Sequence, residues 1–258
     1  MMSLAKQVRL RRLYRGGGAG MVVVAMDHAV GSGPIARDRD FDDLVGEIVM
    51  GGADAVLLHK GSVGRVQPHR FVQSRLIVHL NAGTALAPDP DARCLVASVE
   101  EALRIGADAV SVQVNLGSQT EQHQLGDLAK VAARCDHWQL PLLAMVYPRG
   151  PKVSNPSKPE LVAHAAAVAV ELGADLVKVP YPGSVAALAQ ITRSCPIPVL
   201  VAGGPRLETT SALLDFVGDV MRGGAGGVAM GRNIFDAEQP GSTTRKIVDL
   251  VHGREARA

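Results

Sequence analysis

One short phrase recurs along the chain, and it limits the possible folds more than any other feature. Gly52-Ala53-Asp54-Ala55-Val56, Gly106-Ala107-Asp108-Ala109-Val110 and Gly173-Ala174-Asp175-Leu176-Val177 repeat, and Gly224-Ala225-Gly226-Gly227-Val228 is a weaker fourth copy. Each copy marks a helix end turning straight into an apolar run, with Gly where helices commonly stop. Neighbouring copies lie about two β-α units apart, so four copies imply eight units. An eightfold barrel predicts this repetition, and a doubly wound open sheet does not.

Eight short apolar runs fit the strands of such a barrel: residues 21–26, 55–58, 76–80, 109–114, 142–146, 176–179, 199–202 and 227–230. Most are rich in Val, Leu or Ile, as parallel strands buried on both faces should be. The repeat then marks the second, fourth, sixth and eighth strands. Residues 95–105 and 161–172 carry the clearest helical spacing between runs. With 47% hydrophobic but only 3% aromatic residues, the core must be filled by aliphatic side chains. The expected fold is α/β, a single (β/α)8 TIM barrel domain over residues 1–258, and no Pro/Ser linker divides it. The basic cluster Arg9, Arg11, Arg12 and Arg15 alternates with Val8, Leu10 and Leu13, which suits a short N-terminal helix capping the barrel bottom.

Several classes of function are set aside by bulk properties. A net charge of +2 is too weak to propose nucleic acid as the main partner. No stretch approaches the ~18 uninterrupted apolar residues of a membrane span, so no membrane role is expected. Cys94, Cys135 and Cys195 show no paired spacing. With no signal-like start, they read as reduced thiols of a cytoplasmic protein.

Chemistry in such barrels lies at the carboxyl ends of the strands. The residues there are Asp27 and His28, His59 and Lys60, His79, Gln113 and Asn115, Tyr147, Lys178, Gly203 and Gly204, and Gly231 to Asn233. Gly203-Gly204 and Gly231-Arg232 follow the seventh and eighth strands, where barrels often hold a substrate phosphate. Small residues let backbone N–H groups approach the anion, and Arg232 would add a cation. The alternative is two tight turns that need glycine for backbone reasons alone.

Lys178 lies inside Leu-Val-Lys-Val, where a charged lysine is costly to bury. Its pKa is expected to fall, leaving the neutral amine that imine formation with a ketone requires. The alternative is a lysine paired to a carboxylate or pointing out between helices. Lys60, beside Gly61, looks more like a substrate-binding or ion-pairing lysine. Asp27 and Tyr147 are the best-placed proton shuttles, although an Asp at a strand end could instead cap the next helix. His28, His59 and His79 could bind a metal with Asp27. No H-x-H or H-x-x-x-H pair supports that, so substrate hydrogen bonds are the preferred role, and neither metal nor cofactor is expected.

The stretch Met26-Asp27-His28-Ala29-Val30-Gly31-Ser32-Gly33-Pro34 resembles the M-D-H-G-x-x-x-G-P signature of the archaeal-type class I fructose-bisphosphate aldolase family. That family also includes 2-amino-3,7-dideoxy-D-threo-hept-6-ulosonate synthase. Residues 55–61 (AVLLHKG), 77–80, 99–117, 142–150 (LLAMVYPRG), 175–183 and 201–206 look like its members too, so the likeness runs along nearly the whole chain. The resemblance implies a Schiff base on Lys178, with Asp27 and Tyr147 as acid/base partners. It also implies a phosphate grip by the two glycine pairs and a ring-shaped homo-oligomer, often a decamer. Two departures stand out: Pro182-Gly183-Ser184 replaces the usual Thr-Gly-Asp, and Ala29 replaces the Gly after Asp-His.

The segments IVHLNAGT, SVEEALRIGADAVSVQVNLGS and LLAMVYPRG look closer to the aminoheptulosonate synthases than to the glycolytic aldolases. The expected substrates are therefore a ketone phosphate of dihydroxyacetone phosphate type and aspartate semialdehyde, with an amino-oxoheptanoate phosphate as product. Fructose-bisphosphate cleavage is the alternative, and a non-covalent phosphate-binding isomerase is a more distant one. Arg149, in the loop after Tyr147, is the candidate for gripping the acceptor's carboxylate, against the simpler reading of a solvated loop residue.

Overall fold

The computed structural model describes residues 3–14, 20–36 and 39–253. Its main sheet contains β1 (Met21–Ala25), β2 (Ala55–His59), β3 (Arg75–His79), β6 (Ala109–Leu116), β7 (Leu142–Pro148), β8 (Leu176–Val179), β9 (Val199–Ala202) and β10 (Gly227–Met230). Each expected run is a strand. All neighbours pair in parallel, and β1 bonds both β2 and β10, which closes the barrel. The short pair β4 (Asn81–Ala82) and β5 (Cys94–Leu95) forms an antiparallel ribbon outside the barrel sheet. The sequence reading contained no such ribbon.

The repeated phrase has a physical meaning at each position. Gly52, Gly106, Gly173 and Gly224 all have positive φ, between 75° and 98°. An L side chain rarely adopts that conformation, so Gly ends the helix cheaply. The next residue then donates back to the helix, as in Ala107 N–H to the Ala102 carbonyl and Ala174 N–H to the Ala169 carbonyl, both 3.0 Å. This is the bond pattern of a Schellman stop.

The Asp of each phrase reaches the preceding barrel strand. Asp54 accepts from Val22 N–H (2.8 Å), Asp108 from Leu76 N–H (3.0 Å) and Asp175 from Leu142 N–H (2.9 Å). Three carboxylates thus lock strand register at the amino end of the barrel. In the fourth copy Gly226 keeps only the backbone bond, its N–H donating to the Val199 carbonyl at 2.9 Å.

Strand alternation sorts side chains between two cores. Met21, Val23, Ala25, Leu57, Ile77, Leu143 and Leu200 face the lumen, while Val22, Val24, Val56 and Leu58 face the surrounding helices. Each fully buried aliphatic side chain contributes about 1.5–3 kcal/mol. Helix α1 (Leu4–Leu13) closes the bottom, where Leu13 joins the lumen core and Leu10 and Tyr14 pack against it. Lys6 anchors that helix through a buried pair with Asp175 at 3.0 Å. Arg15 of the basic cluster lies outside the described residues.

Candidate active site

Alternation within each strand also decides which polar residues meet. Asp27 follows Met21, Val23 and Ala25 at every second position. His59 follows Ala55 and Leu57, Tyr147 follows Leu143 and Met145, and Lys178 follows Leu176. All four therefore continue lumen-facing rows. They border a cavity of about 460 Å³ at the carboxyl ends of the strands, together with His28, His79, Arg149 and Arg232. Lys178 is buried, 6% exposed, and lies in register with Met145 and Leu200. It faces inward, and among the described residues no carboxylate lies within ion-pair distance of it.

Asp27 occupies the N-cap position of the short helix His28–Ser32, yet its side chain makes no capping bond. Its neighbours are imidazole nitrogens instead. Oδ1 lies 3.5 Å from Nδ1 of His28, and Oδ2 lies 3.9 Å from Nε2 of His79. Burial pushes the Asp27 carboxyl upward, but the nearby His79, Lys178 and His28 outweigh it and hold its pKa below the ordinary value. Asp27 Oδ1 and His28 Nδ1 are buried without a hydrogen-bond partner. Buried polar atoms are rarely left so, and here both adjoin the open cavity where a ligand would satisfy them.

The histidines are held neutral. Burial drives His79 down to about 3, and burial also lowers His28 and His59. His79 is fixed by Ser111 Oγ, 2.7 Å from its Nδ1, and packs edge-on against His59. His28 packs edge-on against Phe235. Neutral imidazoles can donate and accept hydrogen bonds around a polar substrate at neutral pH. Among the described residues, no three of His, Cys, Asp or Glu form a group that could hold a metal ion.

The loops after β9 and β10 are stitched together by Asn233. Its Nδ2 donates to the carbonyls of Gly203 (2.9 Å) and Pro205 (3.1 Å), and its Oδ1 accepts from Leu207 N–H (2.8 Å). Arg232 lines the cavity and donates to the Gly204 carbonyl at 3.2 Å. Gly231 is sterically required, since a Cβ there would lie 2.5 Å from the His28 ring and 2.7 Å from the Ala25 carbonyl oxygen. The glycine pairs and Arg232 thus sit side by side, although Gly203, Gly204 and Gly231 do not themselves line the cavity.

Two placements differ from the sequence reading. Lys60 points the other way from His59 and forms an exposed pair with Glu101 at 2.9 Å, so it does not line the cavity. Arg93, which the sequence reading passed over, does line it. Arg93 precedes β5 and follows no strand of the barrel, so no strand-end rule pointed to it. Arg149 is an exposed residue at the cavity's edge. Its guanidinium carbon lies 4.8 Å from the centre of the Tyr147 ring. At the departure Pro182-Gly183-Ser184, Ser184 Oγ caps the helix Val185–Ser194 by accepting from Ala187 N–H at 3.2 Å.

Residues 21–237 match the family model described as DeoC/LacD family aldolase. The chain is 54% identical over 253 residues to 2-amino-4,5-dihydroxy-6-oxo-7-(phosphonooxy)heptanoate synthase of Streptomyces griseus, covering 98% of this chain and 92% of that protein. It is 40% identical to 2-amino-3,7-dideoxy-D-threo-hept-6-ulosonate synthase 1 of Archaeoglobus fulgidus, covering 97% and 92%. A solved archaeal fructose-1,6-bisphosphate aldolase, with its catalytic Lys covalently bound to the carbinolamine intermediate, superposes with a TM-score of 0.89 at 30% identity. The match covers 96% of this chain and all of that one (100%).

Proposed function

The chain belongs to the DeoC/LacD aldolase family, and from that premise we propose that it joins a ketone phosphate of dihydroxyacetone phosphate type to aspartate semialdehyde. The product is an amino-oxoheptanoate phosphate. It is a Schiff-base aldolase, and Lys178 is the residue assigned to the imine. The observation that supports this most is a buried lysine in the lumen, without an ion-pair partner among the described residues, beside Asp27, whose pKa is held low.

The positions support the following course of reaction. The Lys178 amine attacks the ketone carbon to give a carbinolamine, which loses water to an iminium. Loss of a proton from the adjacent carbon gives an enamine, and the enamine carbon attacks the aldehyde. Tyr147 donates a proton to the alkoxide formed there, and Asp27 carries protons at the carbinolamine oxygen. Water then hydrolyses the iminium and frees Lys178. The donor phosphate rests on the backbone of Gly203, Gly204 and Gly231 beside Arg232, and His28 and His59 hold substrate hydroxyls. Arg149 takes the acceptor carboxylate.

Borohydride in the presence of dihydroxyacetone phosphate traps an adduct on Lys178, and activity survives EDTA. Trapping on Lys60, or none with active enzyme, overturns the assignment. Aspartate semialdehyde reacts faster than glyceraldehyde 3-phosphate. A preference of ~10-fold or more for the latter, roughly 1.4 kcal/mol, makes the enzyme a fructose-bisphosphate aldolase instead. The chain works as one barrel domain in a cytoplasmic homo-oligomer, with the decamer as the ring to test by light scattering.

A further inference from the structure

The loop between β4 and β5 is held by more buried polar machinery than a surface turn needs, and it delivers one cation to the cavity. Asn81 exchanges two bonds with the Gln113 backbone, Nδ2 to the carbonyl at 2.7 Å and Oδ1 from the N–H at 2.9 Å. That docks the ribbon on β6. The carbonyl of Asp91 accepts from Asn115 Nδ2 (2.7 Å) and from Gln124 Nε2 (3.0 Å). Asp89 is committed as well, with Oδ1 accepting from Asp91 N–H and Oδ2 from Ser118 Oγ. Asn81, Asn115 and Gln124 are each at most 1% exposed. Fully satisfied buried networks of this kind rigidify what they hold.

What they hold is Arg93. Its Nη1 donates to the carbonyls of Pro90 (2.9 Å) and Ala92 (2.6 Å), which fixes the guanidinium at the cavity wall. Gly83 makes room for it, because a Cβ there would lie 2.6 Å from Arg93 Nη1 and 2.2 Å from the Ala92 carbonyl oxygen. Among the described residues, no carboxylate lies within ion-pair distance of Arg93 or Arg149.

Resting on the aldol reading above, we infer that Arg93 is a specificity-determining residue that joins Arg149 in a two-guanidinium receptor for the carboxylate of the aldehyde acceptor. Burial and the charge of Arg149 both lower the pKa of Arg93. Two like charges at one cavity wall repel, and an anion seated between them removes that cost. The planar guanidinium forks suit the two oxygens of a carboxylate. Arg232, the third guanidinium that lines the cavity among the described residues, bonds the Gly204 carbonyl and so stands at the donor-phosphate side. This division gives each end of the two substrates its own anion contact.

The test uses the full chain with two aldehydes of equal carbon number, succinic semialdehyde and butanal, and dihydroxyacetone phosphate as donor. Arg93→Gln lowers the ratio of kcat/KM for succinic semialdehyde over butanal by about 10- to 100-fold, the worth of a hydrogen bond to a charged group. Arg93→Lys, which keeps the charge but not the fork, recovers part of that ratio. Borohydride trapping on Lys178 persists in both variants. An unchanged ratio with trapping intact overturns the receptor. An equal loss with glyceraldehyde 3-phosphate overturns the carboxylate assignment. Calorimetric binding of succinate alone, weakened by Arg93→Gln, decides the receptor without any chemistry. Failure of wild-type trapping therefore sinks only the aldol reading, whereas succinate binding that ignores Arg93 sinks this one.

Discussion

Lys6 and Lys178 are equally buried, each 6% exposed, at opposite ends of the same barrel. Lys6, at the amino end, pairs with Asp175 at 3.0 Å, and Asp175 also accepts a strand N–H. Lys178, at the carboxyl end, has no carboxylate within ion-pair distance among the described residues, though it is close enough to Asp27 to lower that acid's pKa. The acids differ in the same way. Asp54, Asp108 and Asp175 each hold a strand amide, and Asp54 also meets Nε2 of His252 at 2.9 Å. Asp27 keeps one oxygen without a partner. At one end these acids fix register and Lys6 ties down the closing helix, and at the other Asp27 and Lys178 face the cavity. The same side-chain types thus hold the fold together below and face the cavity above, the end where chemistry is expected in this architecture.

That contrast is broken most severely at Lys178. Lys178→Met removes the amine proposed to form the imine, so turnover falls by roughly 10⁵-fold or more and borohydride trapping disappears. The melting temperature does not fall, because an apolar side chain of similar length replaces a buried amine. A large loss of stability instead would place Lys178 with the structural lysines. Tyr147→Phe has the next largest effect. It retains dihydroxyacetone phosphate binding and lowers turnover by ~10²–10⁴-fold, the usual contribution of a positioned proton donor. Unchanged turnover moves that role to His28 or His59.

At the other end the readouts exchange. Lys6→Met leaves Asp175 buried without its cation and costs about 3–5 kcal/mol of stability, read by urea unfolding. Burial already holds the Asp175 carboxyl above its ordinary pKa despite the pair. Adding Asp175→Asn, which removes the charge but keeps an acceptor for Leu142 N–H, recovers part of that loss. The turnover of folded Lys6→Met stays at the wild-type level. A drop in turnover with stability intact would mean that the two ends are not separate.

Much of this division is legible from residue order. The three Gly-Ala-Asp copies, and the fourth that keeps only the Gly, locate the alternate strands because the left-handed Gly and the register-locking Asp are both local requirements. Inward rows such as Leu143, Met145, Tyr147 and Arg149 place site residues by parity alone. The same parity separates His59 from Lys60, since Ala55, Leu57 and His59 share a face and Lys60 must leave it. The ribbon is another matter. Asn81–Ala82 and Cys94–Leu95 are too short to show a period, and their docking depends on the Gln113 backbone and Asn115 side chain of β6 and on Gln124 of the helix Glu121–Trp138. Arg93 was hidden for that reason.

The smallest effect is a dependence on pH, and its sign follows from His79. An unfolded histidine titrates near 6.5, whereas burial holds folded His79 down at about 3. Between those values the unfolded chain binds a proton that the folded chain does not, so stability rises with pH across that window. Acidification from pH 7 to pH 5 therefore costs about 2 kcal/mol at this one site. Asp27 acts lower down. Its folded pKa is depressed, so its contribution is complete above the ordinary carboxylate range and is lost only as pH falls below it. His79→Asn removes the first component, and urea unfolding of the variant should lose about 2 kcal/mol less than wild type over pH 7 to 5. The amino-end variant Lys6→Met keeps this His79 component, because it leaves His79 untouched, although loss of the cation raises the Asp175 carboxyl further and adds a slope of opposite sign. If His79→Asn keeps the wild-type slope as well, the acid sensitivity does not come from the carboxyl end, and the neutral histidines around Asp27 must be reconsidered.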